Sequence, residues 1–305
     1  MDSNQKDILL KIAGSAIEFE CPMSQYTTFH IGGPAEALYR AFDLITLQKM
    51  ISILNREKIP YLIVGRGSNL LVRDKGITGV VIVLEKFLGA IEVKDKNPLI
   101  IFVGAGCSIN ALLTMCRKSG WSGLEFLAGI PGTIGGALAM NAGSFGQEIG
   151  NNVQKIDLID RQGQLLTRGK DSLNFHYRKL MINQGSVIIG SYFQLERQPK
   201  VIIQKKITNY LKKRKLTQPL DYPCAGSIFK NPANDYAGRL IEEAGLKGTI
   251  FGGAMISEKH ANFIINTGNA LAKDVLSLIT LAQEAIENHQ GIKLQPEIVV
   301  VGEKA

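Results

Sequence analysis

Residues 129–150 read GIPGTIGGALAMNAGSFGQEIG, with seven glycines in 22 residues and neither lysine nor arginine. Glycine costs backbone entropy on folding, so a chain concentrates it where backbone must bend sharply or let something come close. A phosphate is the first candidate for that approach, yet the stretch offers no cation to hold one. Pro131 suits the first turn of a helix, and Thr133 offers a hydroxyl beside the free N–H groups there. Gly135 and Gly136 leave the backbone bare of side chains. A helix N-terminus attracts phosphate through its orphan N–H groups and partial charge, without a lysine. Tight helix packing on small residues is the plainer explanation of Gly135 and Gly136.

Working outward, a second glycine segment sits in YLIVGRGSNLLV, where Gly65, Arg66, Gly67, Ser68 and Asn69 follow a run that reads as a buried strand. Consecutive backbone N–H groups in such a turn form an anion-binding nest, with Ser68 and Asn69 as added donors. It is not a Walker loop, since no GKS or GKT follows. Nor does it complete G-x-G-x-x-G: Leu70 stands at the third glycine position and a strand follows. Taken alone, an ordinary strand-to-strand turn explains it equally well. Two such segments in adjacent lobes suggest one extended dinucleotide between them.

The 305 residues suit two or three domains, and 45% apolar with 20% charged residues is the composition of a soluble globular protein. No apolar run reaches membrane-spanning length, and the N-terminus lacks the apolar core of a secretory signal. Cys21, Cys107, Cys116 and Cys224 have no CxxC spacing, so reduced thiols in a cytoplasmic protein, with no metal site, are expected. The net charge of +8 favours an anionic partner. Much of it lies in KVIIQKKITNYLKKRK, residues 200–215, where Ile203, Ile207, Tyr210 and Leu211 mark the apolar face of a helix and the lysines its wet face. No nucleic-acid-binding motif accompanies it, so an acidic small molecule is the better partner.

The pattern reads as an α+β protein. ILLKIAGSAI is expected as one amphipathic helix, AEALYRAF as a strand, and DLITLQKMISILNREKI as a helix with Asp43 as N-cap. PYLIVG reads as a buried strand. Further strands are expected at PLIIFVGAG, VQKIDLIDRQG, SVIIGSYFQLER, HANFIINTG and LQPEIVVVG. Further helices are expected at SINALLTMCRKSG, YAGRLIEEAGLKG and AKDVLSLITLAQEAIENHQG. Three lobes follow, at 1–85, 86–199 and 200–305.

YTTFHIGGPA, GRGSNLLV, GIPGTIGGALAMNAGSFG, AGSIFKNP, AGRLIEEAGLKG, SEKHANFIINTGN and a final LQPEI occur in that order over nearly the whole chain. Together they closely resemble the UDP-N-acetylenolpyruvoylglucosamine reductase family, in its shorter form lacking the substrate-capping loop insertion. The resemblance implies a two-lobed FAD-binding fold of the vanillyl-alcohol-oxidase (PCMH) type, followed by an α+β substrate-binding domain. It implies non-covalent FAD, NADPH as reductant, and reduction of UDP-N-acetylglucosamine enolpyruvate to UDP-N-acetylmuramate in peptidoglycan precursor synthesis. A monomer acting on small molecules, apart from membrane and nucleic acid, is the matching expectation. Gly65, Arg66, Gly67, Ser68, Asn69, Gly129, Pro131, Gly132, Thr133, Gly135, Gly136 and Ala142 are the implied flavin contacts.

In this resemblance hydride passes from flavin N5 to the enolpyruvyl methylene, and the enolate that develops needs stabilisation and a proton. Ser227, in CAGSIFKNP, is the implied proton donor, although by itself a Ser after Ala-Gly reads as a turn residue bonding its own backbone. Arg178, in NFHYRKL, is the implied carboxylate clamp, and Glu297, in LQPEIVV, the implied polariser of the double bond. Arg214 and Asn231 are the candidates for substrate contact, with Lys215 an alternative to Arg214. His260 attracts attention as an acid or base, but with Ser257 capping a short turn it could simply pack. The family commonly has serine two residues after the Arg of its YR motif; here Leu180 stands there. Tyr26, Thr27 and Thr28 match the N-terminal motif without an assignable role. The rivals are an oxygen-using lactone or alcohol oxidase of the same fold and a basic nucleotide- or RNA-binding protein.

Overall fold

The computed structural model describes residues 1–84 and 89–304. The lobe boundary expected between residues 85 and 86 lies outside the described residues. The chain forms two compact units, each assembled from separated stretches. Unit 1 comprises Met1–Phe19, Ala37–Gly65 and Gly79–Lys213; unit 2 comprises Glu20–Glu36, Arg66–Thr78 and Arg214–Ala305.

Unit 1 begins with α1 (Ser3–Ala13), which Asp2 and Gln5 cap reciprocally. The expected helix through Ile17 stops at Ala13, because Gly14 takes φ +54° and a short 3-10 turn leads into a strand. That strand, β1 (Ile17–Pro22), joins β2 (Pro34–Ala41), β5 (Ile77–Leu84) and β3 (Tyr61–Val64) in the order β1-β2-β5-β3. β3 runs parallel to β5 at the sheet edge, and of its four residues only Val64 is buried. The fully buried strand expected here is therefore an edge strand with one face covered. Between β2 and β3, α2 (Leu44–Arg56) starts at Asp43, whose carboxylate accepts from Thr46 N at 2.8 Å. Its buried Leu47, Met50, Ile51 and Leu54 recur at helical spacing and face the sheet's core.

The second sheet of unit 1 has the order β12-β11-β15-β7-β6, with β8 on β15. Its strands are β6 (Ile91–Lys96), β7 (Leu99–Gly104), β8 (Trp121–Ser122), β11 (Val153–Ile159), β12 (Leu165–Gly169) and β15 (Val187–Arg197). α3 (Ile109–Ser119), capped by Ser108 and ended by left-handed Gly120, packs beside it. The glycine-rich stretch supplies α4 (Ile134–Ala139) and a small hairpin, β9 (Gly143–Ser144) with β10 (Gln147–Glu148). A second hairpin pairs β13 (Asn174–His176) with β14 (Lys179–Met181). One core built on Tyr39, Met50, Phe126 and Phe193 joins these elements.

α5 (Lys200–Thr217) is the lysine-rich helix. Ile203 is fully buried and Ile207 and Tyr210 pack on the unit 1 core, but Leu211 is exposed. At 3.6 residues per turn the stripe through 203, 207 and 210 continues to 214, so Arg214 is buried in place of Leu211. Most of the lysines are solvated; Lys206 instead reaches the buried carboxylate of Glu125 at 3.6 Å and donates to Ser122 Oγ at 3.2 Å.

Unit 2 has its own core, built on Phe29, Leu71, Phe229, Leu240, Ile256, Val275, Leu278 and Leu294. β4 (Leu70–Val72) pairs in parallel with β19 (Val299–Val301), and β16 (Ile250–Phe251), β17 (Ala254–Ile256) and β18 (Ile264–Asn266) form a three-stranded sheet. α6 (Ala237–Glu243) and α7 (Ala272–Gln290) complete it. Among the described residues no helix is long and apolar enough to cross a membrane, and no three His, Cys, Asp or Glu side chains could hold a metal.

The N-terminus of α7 is capped from far away in sequence. Asp74 Oδ1 accepts from Ala272 N at 2.7 Å and Oδ2 from Lys273 N at 3.1 Å. Asp74→Ala orphans both donors and removes a favourable charge from the positive end of the helix. It is expected to lower the urea-unfolding free energy by about 1–2 kcal/mol, with Asp74→Asn losing less. An unchanged midpoint for both variants would show that the cap is idle.

Candidate functional site

In unit 1 the two glycine segments meet. A Cβ built on Gly65 would lie 2.4 Å from Thr133 Oγ1, so only glycine fits there. Thr133, buried, is the N-cap of α4, and its hydroxyl accepts from Gly136 N at 3.4 Å. Ile134 N donates to Cys107 O at 2.9 Å, Gly135 N to Ala105 O at 2.8 Å, and Ala137 N to Thr133 O at 2.9 Å. The helix N-terminus expected to hold a phosphate has therefore spent its first donors inside the protein. The bridge between Ser108 and Thr133 lays this end of the helix against the turn after β7, whose carbonyls take them. Pro131 is exposed and lies two residues before the cap, outside the helix rather than in its first turn.

The glycines of this stretch have different reasons to be glycine. A Cβ on Gly135 would meet that of Ala105 at 2.9 Å, so close packing explains it. Gly129 is exposed at φ +79°, where other residues are strained. Gly136 is exposed, helical, and would meet nothing closer than Thr133 Oγ1 at 3.6 Å, an ordinary contact. Nothing in the protein requires glycine at 136, which leaves a bare patch of backbone suited to a flat or phosphorylated ligand. Gly132 and Ala142 are half-buried beside these positions in the chain.

In unit 2 the nest is a built turn. Gly67 has φ +59°, and a Cβ there would strike Tyr26 O at 2.2 Å. Tyr26 thus acquires a role that its sequence did not disclose: its carbonyl seats the turn. Thr27 Oγ1 donates to Ile31 O at 2.9 Å, and Thr28 Oγ1 to Cys224 O at 2.7 Å, which fixes the loop before Ser227. Arg66 is exposed and Ser68 half-buried. Asn69 turns the other way: its Nδ2 donates to Glu297 O at 3.1 Å, and its carbonyl accepts from Val299 N at 2.9 Å.

Ser227 and Glu297 are brought side by side. Glu297 N donates to Ile228 O at 2.7 Å, Lys230 N to Gln295 O at 2.9 Å, and Phe229 bridges Pro296. On the opposite edge, Asn262 accepts from Ile228 N and Phe229 N, each at 2.9 Å, and its Nδ2 donates to Phe229 O at 2.8 Å. The segment after Ser227 is therefore held on both sides, while Gly226 at φ +77° turns the chain into it. Ser227 and Glu297 are both half-buried. Among the described residues no hydrogen bond ties the Ser227 hydroxyl to its own backbone, so it is not the self-bonded turn residue that its context suggests. Arg214 is buried, with Nη1 donating to Gln218 Oε1 at 3.4 Å, whereas Lys215 is exposed. Asn231 is exposed and its Oδ1 accepts from Ala237 N at 3.1 Å, so it holds the start of α6.

Arg178, in unit 1, occupies the two-residue turn of the β13–β14 hairpin at φ +58°, a conformation that costs a non-glycine residue of order 1–3 kcal/mol. Its guanidinium carbon lies 4.9 Å from the Tyr177 ring centroid. Leu180, where the family commonly has serine, is buried in the unit 1 core opposite Phe175. Sequence reasoning passed over Asn141 and Glu148, which lie in this neighbourhood; an asparagine among small residues in MNAGSFG was the available signal. Asn141 is fully buried at φ +40°.

His260 packs its ring edge on Phe263, its Nδ1 accepts from Asn262 N at 3.2 Å, and burial lowers its pKa. Ser257 Oγ accepts from Lys259 N and His260 N, as a turn cap does. A neutral, packed imidazole that holds the Asn262 loop is a support for the Ser227 segment. All four cysteines are free; burial pushes the Cys107 thiol up to about 11 and Cys116 to about 12, so neither forms a thiolate near neutral pH.

Comparison with known proteins gives the chain's relatives. The UDP-N-acetylenolpyruvoylglucosamine reductase C-terminal domain family matches residues 218–301, and a FAD-binding-domain family matches residues 36–169. A UDP-N-acetylenolpyruvoylglucosamine reductase of Caldanaerobacter subterraneus subsp. tengcongensis is 43% identical over 284 residues, 93% of each chain. That of Bacillus pumilus is 39% identical over 306 residues, covering 100% of both. The crystal structure of the enzyme of that description from Thermus caldophilus superposes with a TM-score of 0.80 at 35% identity, covering 92% of this chain and 97% of its own.

Gly136→Ala separates ligand from packing. Alanine is worth about 1 kcal/mol over glycine inside a helix, so the thermal midpoint should hold or rise. Affinity for FAD, titrated into apoprotein by flavin fluorescence, should fall. Unchanged FAD affinity would remove Gly136 from the flavin contacts.

Proposed function

The chain belongs to the UDP-N-acetylenolpyruvoylglucosamine reductase family, and on that premise we propose how its own residues divide the work of the reaction. It is an FAD-dependent oxidoreductase that reduces UDP-N-acetylglucosamine enolpyruvate with NADPH, in the synthesis of peptidoglycan precursors. Its fold is the family's α+β arrangement, a FAD-binding fold of the PCMH type followed by the C-terminal domain. We read residues 1–85 and 86–199 as the two flavin lobes and 200–305 as the substrate domain.

The residues present fit a flavin dinucleotide. Gly136 keeps an outward backbone face bare without a packing reason, and Gly67 holds the nest turn at a φ and a spacing that admit only glycine. The nest N–H groups of Arg66–Asn69, with Ser68 Oγ, are the donors for a diphosphate, since the α4 terminus is committed elsewhere. Gly65, Gly129, Pro131, Gly132, Thr133, Gly135 and Ala142, in unit 1, are the further flavin contacts we propose. Bound FAD would supply the hydride chemistry between NADPH and the enolpyruvyl methylene.

The chain supplies the rest. The Arg178 guanidinium, presented on a hairpin turn, clamps the substrate carboxylate and offsets the charge that spreads into it as the enolate forms. The Ser227 hydroxyl holds the proton that completes the adjacent carbon. A serine is a weak acid, but an enolate carbon is a strong enough base to take its proton, and solvent restores it. The Glu297 carboxyl, on the segment paired with that of Ser227, polarises the double bond. Arg214 and Asn231 contact the UDP-sugar, Asn231 through the amide nitrogen that α6 leaves to it. A monomer in the cytoplasm is the setting we favour, as four free thiols suit a reducing compartment.

The observation that carries these roles is the pairing of the Ser227 segment with the Glu297 segment through Ile228 O and Glu297 N at 2.7 Å. Stopped-flow spectroscopy of Ser227→Ala tests it. NADPH should bleach the flavin at close to the wild-type rate, while reoxidation by the enolpyruvyl substrate slows at least 100-fold, as for loss of a positioned general acid. Equal slowing of both half-reactions would assign Ser227 a structural role instead.

A further inference from the structure

Arg178 sits in an unusual bracket. A Cβ built on Gly143 would lie 3.0 Å from Arg178 Nη1 and 3.0 Å from Glu148 Cγ, so guanidinium and carboxylate side chain flank one slot that glycine leaves open. Asn141 closes the bracket from inside. Its Nδ2 donates to Glu148 Oε2 at 2.7 Å and to His176 O at 3.0 Å, and its Oδ1 accepts from Gly150 N at 3.2 Å. One buried amide thus links Glu148 to the strand that leads into the Tyr177–Arg178 turn. All three of its bonds are made by a side chain with no solvent exposure. Behind it, Gly150 meets the Phe175 ring so closely that a Cβ would fall 2.7 Å from Cγ, which locks the hairpin to the same loop.

We propose that Glu148, held by Asn141, is the positioning residue for Arg178, setting the plane and charge balance of the guanidinium that receives the substrate carboxylate. The inference rests on Arg178 as that clamp. An arginine in a two-residue turn has a long side chain with many rotamers, and bidentate recognition demands one of them. A fixed carboxylate beside the guanidinium selects it before substrate arrives, so less ordering remains to be done on binding. Gly143 itself is required first by the Gln147 carbonyl, which a Cβ would meet at 2.8 Å, and its bareness also leaves the space between Arg178 Nη1 and Glu148 Cγ open. Asn141 in turn keeps its left-handed backbone because its amide has three partners there that no solvated residue could satisfy.

The test is a double-mutant cycle on the FAD-loaded enzyme, read by stopped flow. Glu148→Gln keeps the shape and the acceptor for Asn141 but removes the charge. NADPH should bleach the flavin as in wild type, the thermal midpoint should hold, and reoxidation by the enolpyruvyl substrate should slow roughly 10- to 100-fold, the scale of a clamp misplaced by about 1 Å. Arg178→Ala should slow reoxidation further, and adding Glu148→Gln to it should change the rate less than about two-fold, since Glu148 acts only by way of Arg178. Glu148→Asp, which keeps the charge but displaces it, should fall between wild type and Glu148→Gln, and serves if the glutamine variant loses FAD. Wild-type reoxidation in both Glu148 variants, or the same slowing with and without Arg178, would overturn the positioning role alone. Wild-type reoxidation in Arg178→Ala would overturn the clamp reading and this inference with it.

Discussion

The bond from the Asn69 amide to the Glu297 carbonyl, 3.1 Å long, joins parts of the chain that share nothing in sequence. Asn69 ends the glycine turn whose N–H groups we propose as donors to the diphosphate. Glu297 opens the strand segment that lies against Ser227. The return bond from Val299 N to Asn69 O and the parallel pairing of β4 with β19 make the link double-sided. Unit 2 therefore presents nest and reactive pair as one piece, fixed further by Asn262 on the far edge of the Ser227 segment. Hydride transfer and protonation both need reacting atoms held to within fractions of an ångström. A strand clamped on two sides provides that far better than a surface loop could.

The glycines illustrate how one residue type answers to several constraints. Thr133 leaves no room for a larger side chain at Gly65, nor does Ala105 at Gly135, the Tyr26 carbonyl at Gly67, or the Gln147 carbonyl at Gly143. Gly136 meets no such neighbour among the described residues. The missing cation of the 129–150 stretch is explained differently from the simple helix-terminus argument. Its helix donors bond the carbonyls of Ala105 and Cys107, so the positive end of α4 is internal scaffolding, and we propose the 66–69 turn as the source of the anion donors. A short helix buried at its start cannot leave N–H groups unpaired without a cost of about 1–3 kcal/mol each, which is why the protein uses them.

Much of this was legible in the sequence, and what was not has a common cause. The sequence pattern found α2 and α3, and Asp43 caps α2 as its position suggests. Order and wording of the glycine, YRK, AGSIFKNP and LQPEI segments pointed to the family and to Arg178, Ser227 and Glu297. The misses are tertiary. Nothing local marks β3 as an edge strand, since edges are set by which strands pair. Leu211 looked as apolar as Ile207, but phase along the helix put Arg214 inside instead. Tyr26, Asn69 and Asn262 act through contacts across tens to hundreds of positions, and Glu148 matters only because a hairpin 30 residues on returns to it. A single sequence carries no record of such meetings.

The central claim is that the flavin turn and the catalytic strand of unit 2 are one mechanical unit, and Asn69→Ala measured at saturating FAD tests it most directly. Anaerobic stopped flow would follow reoxidation of the NADPH-reduced variant by UDP-N-acetylglucosamine enolpyruvate after flavin occupancy has been brought to completion. The account predicts reoxidation slowed about 10-fold or more with FAD fully bound, because the carbonyl of Glu297 has lost its tether and the strand its register. Reoxidation restored to the wild-type rate by added FAD alone would contradict it, reducing Asn69 to a flavin contact without a hold on the catalytic pair.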